Sequence, residues 1–186
     1  MRIFVLGLFL CVNIVAYSQN ERFKSLFVFN FTKYIEWPDN YREGDFVISV
    51  LGTSPMYAEL QHNVKGKQAG NQTIEVIQVS NISGIKKCHI LYVPAQQSSL
   101  LEAVGKYLSG KPTLIITEKR GLIAGGTDIN LSQTGGKLQF ELKPKQIEKK
   151  NLKLSKTLLN LGIVYDESTT RKVPELESVD DTNVPR

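Results

Sequence analysis

The sequence predicts an α/β domain with a mixed, mostly parallel sheet flanked by helices. The first observation behind this fold class is that short apolar runs rich in β-branched residues alternate along the chain with segments of helical apolar spacing. The second is a glycine-containing turn between two strand-like runs in the last third of the chain, which is typical of a β-hairpin. Strands separated by helices pair in parallel, because each helix carries the chain back across the sheet.

The first half of the domain supplies helices and strands of a sheet that has helices on its faces. Residues 22–34 have apolar and aromatic side chains at helical spacing, and Pro38 is expected to end this helix because the residue before a proline avoids the α region. We expect Ser98 or Ser99 to cap a later helix. The predicted strands are 46–51, 74–79, 90–93 and 113–117, and the further predicted helices are 56–64 and 98–108.

The C-terminal part of the domain adds a hairpin and a last helix. Residues 128–131 and 137–142 flank a Ser-Gln-Thr-Gly-Gly turn and predict the C-terminal β-hairpin. Leucines and an isoleucine across 152–163 predict a terminal helix. The single domain therefore covers residues 20–166.

The first 18 residues predict an exported protein. Arg2 is the only charge among them, and it precedes an apolar run over 3–16 that ends in Ala16-Tyr17-Ser18. The run is shorter than the roughly 20 residues that span a bilayer, which favours a cleaved signal peptide over residues 1–18 rather than a membrane anchor. We expect an exported, soluble protein with a disordered acidic tail over 167–186, where apolar residues become sparse.

Cysteine usage follows from the predicted signal peptide. Cys11 falls within it, so the exported chain keeps only Cys88 and has no internal disulfide. Cys88 stands just before an apolar strand and is interpreted as a small buried residue. A redox-sensitive thiol and an intermolecular disulfide are the open alternatives.

The residues that common enzyme and metal sites need are scarce. His62 and His89 are the only histidines, and neither stands in a nucleophile motif. The loop over 121–126 lacks the glycine spacing of a dinucleotide site, and there is no P-loop. We interpret His89 as a structural histidine and His62 as a surface residue. The sequence predicts no enzyme activity, no cofactor and no metal site.

The net charge of +5 combines a basic domain with an acidic tail. Residues 19–165 hold 19 Lys+Arg and 12 Asp+Glu, whereas residues 166–186 hold 3 and 6. Seven lysines lie within 137–156, but this stretch has no arginine and one aromatic residue, Phe140, so a nucleic-acid partner is not expected. The lysines are interpreted as a solvated helix face. The alternative is steering toward an acidic sensor domain or an anionic membrane surface.

Two segments are candidate binding sites. Trp37 is the only tryptophan, and Phe31 and Tyr34 lie one turn before it, so the three could form one aromatic cluster that anchors a partner or closes one end of the core. The glycines Gly125 and Gly126 allow close backbone approach. Together with the Trp37 region they could cradle a small ligand.

Five motifs in order resemble the YfiR family of YfiR/HmsC-like periplasmic proteins, over roughly residues 22–165. The most distinctive is the run from Phe27 to Pro38, which ends in Tyr-Ile-Glu-Trp-Pro. The others are the strand and glycine at 46–52, Lys-Cys-His-Ile-Leu-Tyr-Val at 87–93, Leu-Ile-Ile-Thr at 114–117 with its glycine loop, and the strand and helix at 137–142 and 152–161.

The resemblance implies a periplasmic regulator rather than an enzyme. Its type member binds the periplasmic sensor part of an inner-membrane diguanylate cyclase and holds it inactive, which lowers cyclic-di-GMP and biofilm formation. The partner could equally be a histidine kinase, and a small-molecule-binding module is the alternative function. A homodimer is also open. Family members commonly carry paired cysteines, of which this chain keeps only Cys88.

Overall fold

A computed structural model describes residues 20–166 of the chain. Its helices are α1 (20–34), α2 (Pro55–Val64), α3 (Leu101–Tyr107), α4 (Pro144–Glu148) and α5 (Lys156–Leu161). Its strands are β1 (Ile35–Glu36), β2 (Phe46–Leu51), β3 (Gln68–Ala69), β4 (Gln72–Val79), β5 (Ile90–Val93), β6 (Leu114–Thr117), β7 (Ile129–Thr134), β8 (Lys137–Leu142), β9 (Lys153–Leu154) and β10 (Ile163–Val164). The predicted signal peptide and the predicted tail lie outside the described residues.

Eight strands form one mixed sheet in the order β10-β8-β7-β6-β5-β2-β4-β3. The five central strands, which are β4, β2, β5, β6 and β7 in sheet order, are all parallel. β3 pairs antiparallel with β4, β8 pairs antiparallel with β7, and β10 pairs in parallel with β8. The predicted fold class, a mostly parallel sheet with helices and a C-terminal hairpin, is confirmed.

Helices cover both faces of the sheet. Successive strand residues point to opposite faces, so Ile48 and Val50 face the core under α1 and α2, while Leu51 and Leu91 belong to the core under α3. Burial on both faces explains why the central strands are continuous apolar runs rather than alternating ones.

The first helix ends at residue 34, where its predicted helical spacing ends and before the proline that was expected to stop it. α1 stops at residue 34, and the next two residues form β1, which pairs antiparallel with β9. The backbone N–H of Ser155 donates to the carbonyl of Tyr34 at 2.9 Å, so this pairing, rather than Pro38, takes the chain out of the helix.

The predicted helix over 98–108 is also shorter than expected. Ala95–Leu100 forms a 3₁₀ helix after Pro94, and α3 begins only at Leu101. Neither Ser98 nor Ser99 caps α3, whose first residue follows Leu100 without a side-chain cap. The reason is local: Gln97 N–H donates to the Pro94 carbonyl three residues back and fixes the tighter winding.

The predicted terminal helix over 152–163 divides into three short elements. β9 pairs with β1, Ser155 caps α5 by accepting from Leu158 N–H, and β10 closes the sheet edge. α5 ends at Gly162, where a side chain would collide with the Phe140 ring. α4, which begins with Pro144, was not predicted.

The hairpin turn is tighter than the sequence suggests. β7 extends to Thr134, so only Gly135 and Gly136 remain in the loop. Their φ values of 57° and 77° fit a two-residue turn that matches the twist of the paired strands.

Candidate partner- and ligand-binding surface

Phe31 lies in the core rather than on a binding surface. Its side chain is 1% exposed, and its ring centroid is 5.1 Å from that of Phe140 and 6.3 Å from that of Phe27. These three rings pack α1 against β8. Phe31 therefore contributes to the packing of the domain core.

Trp37 belongs to a second, separate aromatic group. Its ring is edge-on to Phe46 with a centroid distance of 4.8 Å and lies 5.9 Å from the His89 ring. Tyr34 is half-buried and packs against the edge of the same apolar core. Phe31 and Trp37 therefore share one apolar core, with Tyr34 packed against it, but their rings belong to two different groups of ring contacts, because the chain changes from helix to strand between Tyr34 and Trp37.

His89 anchors the group around Trp37. Its ring stacks on Phe46 at 4.2 Å, its Nδ1 accepts from Val47 N–H at 3.0 Å, and its Nε2 lies 2.6 Å from the carbonyl oxygen of Tyr41. Burial lowers the pKa of His89, and the bond to the Tyr41 carbonyl offsets part of that effect. With one nitrogen accepting and the other donating, the ring is neutral and structural, as predicted.

Cys88 is buried beside His89, in agreement with its sequence interpretation. It is a free cysteine that is 1% exposed, and burial raises the pKa of its thiol. Its carbonyl accepts from Thr113 Oγ at 2.8 Å, which ties β5 to the start of β6. His62, by contrast, is exposed on α2, as predicted.

Two open grooves meet at Arg42. One extends past Lys33 toward Gln72 and has a volume of about 440 Å³; the other extends toward Leu152 and Lys153 and has a volume of about 640 Å³. Both grooves are lined by Glu36, Trp37 and Arg42. These three residues and Asp39 are called the Arg42 surface below.

Hydrogen bonds and opposite charges hold Arg42 in place between the grooves. Its Nε donates to the Trp37 carbonyl at 2.9 Å, and its terminal nitrogens lie 3.7 Å from Glu36 and 3.6 Å from Asp39. The Arg42 side chain is 53% exposed, so its positive charge remains accessible to a binding partner. These exposed ion pairs are weak and can exchange for a partner's carboxylate.

The indole N–H of Trp37 is a buried donor. Trp37 is 5% exposed, and its Nε1 has no hydrogen-bond partner among residues 20–166. An unsatisfied buried donor costs about 1–3 kcal/mol. Trp37 lines both grooves, while its Nε1 is itself shielded from solvent.

Gly125 and Gly126 lie away from the Arg42 surface. They line a shallow groove with α3, on the opposite face of the sheet from α1. The Gly125 carbonyl accepts from Lys143 Nζ at 2.9 Å, and the Gly126 carbonyl from Gln146 Nε2 at 3.4 Å. The structure therefore does not bring the two glycines together with Trp37.

A buried charge cluster, not predicted from the sequence, joins α1 to the end of β6. Lys24 Nζ lies 2.7 Å from Glu21 and 2.5 Å from Glu118, whose carboxylate also accepts from Ala95 N–H at 3.0 Å. Burial alone would raise the pKa of Glu118, but Lys24 and the Ala95 N–H hold it below its usual value. Burial would lower the pKa of Lys24, yet the two carboxylates raise it.

Side chains of the protein itself fill the carboxyl edge of the parallel sheet. After β2 the chain continues to β4 on one side of the sheet, whereas after β5 it continues to β6 on the other side. The crevice between two such neighbouring strands is where α/β folds commonly bind ligands. Here Gln97 packs against Gly52 directly after β2, and the Lys24–Glu118 pair lies over the end of β6. The open grooves at Arg42 are elsewhere.

The late lysines do not form one helix face, contrary to their interpretation. Lys143 is 4% exposed, and Lys150 Nζ is 2.5 Å from the buried carboxylate of Asp128 and 3.1 Å from the Thr113 carbonyl. Five others are exposed and distributed over β8, α4, the turn after α4, β9 and α5: Lys137, Lys145, Lys149, Lys153 and Lys156.

Within residues 20–166, no group of three or more His, Cys, Asp or Glu side chains is placed to hold a metal ion. Across the same residues, no helix combines the length and apolar character needed to cross a membrane.

Comparison with known proteins identifies the family. No curated protein matches the chain. The YfiR/HmsC-like family matches residues 21–163, which is nearly the whole of the domain described above. The chain therefore belongs to the YfiR/HmsC-like family.

Proposed function

We propose that this protein is a periplasmic regulator that binds the periplasmic sensor part of an inner-membrane signalling protein and represses it. A diguanylate cyclase is the preferred partner, so the protein would lower cyclic-di-GMP and biofilm formation; a histidine kinase is the other signalling class considered. The observation that carries this proposal is the family match over residues 21–163.

The Arg42 surface is the proposed contact region for the partner. It presents an accessible guanidinium and two exposed carboxylates at grooves that Trp37 also lines. Arginine and tryptophan are enriched among residues that dominate binding energy in protein interfaces. Of the candidate residues from the sequence, Trp37 stays in this proposal, whereas Phe31 and Tyr34 support it from the core.

Site-specific photo-crosslinking in living cells tests the proposal. A photoreactive residue at Asp39, whose side chain is 97% exposed, would be expected to capture a membrane protein that has both a periplasmic sensor and a cytoplasmic signalling domain. The matched control places it at Glu102, which is 83% exposed on α3 across the sheet. Capture of the same protein from both positions, or of no such protein from Asp39, would argue against this surface.

A small-molecule-binding module is the second candidate, favoured by the unpaired indole N–H of Trp37 beside two grooves. A bound acceptor would change the environment of the only tryptophan. Titration with nucleotides and aromatic metabolites, followed by Trp37 fluorescence, tests this. A saturable change that is lost in Arg42→Ala but kept in Lys106→Ala supports a ligand site, whereas no change with any compound counts against it.

A further inference from the structure

A groove between α4 and β10 lies where the described part of the chain ends. Its volume is about 410 Å³, and its walls include Lys145, Lys149, Val164 and Tyr165. Asp166, the last described residue, also lines it. The described part of the chain therefore ends at this groove.

The groove has an apolar floor between two exposed cations. Pro144, Val164 and Tyr165 supply the apolar part, and Val164 is 52% exposed. Lys145 Nζ lies 3.6 Å from Asp166 Oδ2, so one acidic residue of the C-terminal segment already pairs with this wall. Among residues 20–166, no carboxylate lies within ion-pair distance of Lys149.

The remaining chain has a matching pattern of charge and apolar residues. Residues 167–186 contain 5 acidic and 3 basic residues, and Glu175-Leu176-Glu177 places one apolar side chain between two carboxylates. We propose that this Glu-Leu-Glu segment docks into the groove of its own chain, with Leu176 on the apolar floor and the glutamates beside Lys145 and Lys149.

Chain length permits this contact. Glu175 is nine residues beyond Asp166, and an extended chain spans up to about 3.3 Å per residue, so the segment can fold back over the groove without stretching. Closing such a short loop costs little entropy, and tethering raises the local concentration of the segment to the millimolar range. Weak contacts to two lysines are then sufficient for docking.

Paramagnetic relaxation in the exported protein, purified from the periplasm, tests the proposal. Ser178→Cys adds a labelling site next to the Glu-Leu-Glu segment, while Cys88 is buried and protected from the spin label. We expect loss of amide peak intensity at Lys145, Lys149 and Val164 at about 0.01 M salt, where the Debye length is roughly 30 Å, and its recovery at about 1 M, where it is roughly 3 Å.

Two double variants of the whole exported chain test whether opposite charges cause the docking of the segment. Lys145→Gln with Lys149→Gln should restore the peak intensities of the groove, and so should Glu175→Gln with Glu177→Gln. Lys106→Gln on α3, an equally exposed lysine, should leave the broadening unchanged. All four lysine and glutamate positions are outside the core or in the segment itself, so an unchanged amide spectrum elsewhere will verify folding.

Three results would overturn the proposal. Equal broadening around Lys106 and around the groove would mean that the segment has no preferred site, and absence of broadening at the groove would mean that it does not dock. Broadening of isotope-labelled unmodified protein by a spin-labelled second copy, as strong as within one chain, would assign the groove to another molecule.

Discussion

Lys24 Nζ lies 2.5 Å from Glu118 Oε2, and this ion pair joins the first helix to the end of the strand at the centre of the sheet. The two side chains are 13% and 9% exposed. Glu21 lies on the same helix as Lys24 and completes the cluster, with its Oε1 at 2.7 Å from Lys24 Nζ. One cation therefore compensates two carboxylates in a largely buried position.

Removing this cation should be strongly destabilising. In Lys24→Met the two carboxylates would face each other without compensation, and loss of one partner of a buried ion pair costs about 3–5 kcal/mol. Denaturant unfolding should show this loss of unfolding free energy. Lys106→Met, which removes a lysine paired at 2.7 Å but 76% exposed, should change it by less than about 1 kcal/mol. Equal losses would contradict the role of burial.

The same variant should reverse the local pH dependence. Burial already raises the pKa of Glu21, and without Lys24 the pKa of both carboxyls should rise in the folded state. An acid with a raised folded pKa stabilises the fold at low pH and loses that contribution as pH rises. Lys24→Met should therefore recover part of its unfolding free energy between pH 7 and pH 5, and a further loss over that range would refute the assignment.

His89 should make the wild-type protein less stable in mild acid. Burial holds the pKa of His89 in the folded state below its usual value of about 6.5, so the unfolded chain binds the proton first as pH falls. The stability it contributes is complete above about pH 6.5 and decreases as pH falls toward the folded pKa. Comparison of unfolding free energies of wild type and His89→Gln at pH 7 and pH 5 should show a smaller decrease in the variant. Parallel decreases would exclude His89 as the cause.

Gly52 and Gly105 should respond in opposite directions to the same substitution. Gly52 has φ +71°, and an alanine Cβ there would lie 2.6 Å from the Gln97 amide nitrogen, so Gly52→Ala should cost at least about 1–2 kcal/mol. Gly105 lies within α3 with nothing within 4 Å of the added atom, so Gly105→Ala should stabilise by about 0.5–1 kcal/mol. Thermal unfolding measures both, and a neutral Gly52→Ala would show that neither strain nor contact matters there.

The strands and the sheet were predictable because the spacing of apolar residues and the share of β-branched residues indicate strands locally. β2 and β5 are continuous β-branched and apolar runs, and the hairpin carries its own glycine turn. The apolar spacing predicted the end of α1 at residue 34, but the division of the terminal segment was not predictable, because pairing of Leu154 with Ile35 depends on residues over a hundred positions apart. Local helical spacing of the leucines contains no information about that contact.

The candidate site likewise combines features that are visible in the sequence with features that only the fold creates. Trp37 was noticed for its chemistry, but the sequence could not show that its ring is buried against Phe46 while its N–H has no partner. Arg42 went unnoticed because an isolated arginine in a turn has no distinctive pattern. Only the fold brings Lys24 and Glu118 together as a pair. The position of Glu118 directly after a buried strand was nevertheless a local signal that marks this residue.

Cellular cyclic-di-GMP is the measurement that tests the central claim most directly. In the bacterium that encodes this protein, deletion of its gene should raise cyclic-di-GMP, and expression of the wild-type protein should lower it again. Arg42→Glu should fail to lower it at equal periplasmic abundance, whereas the exposed control Lys106→Glu should succeed. An unchanged cyclic-di-GMP level on deletion would contradict repression of a diguanylate cyclase, and full activity of Arg42→Glu would contradict the proposed contact surface.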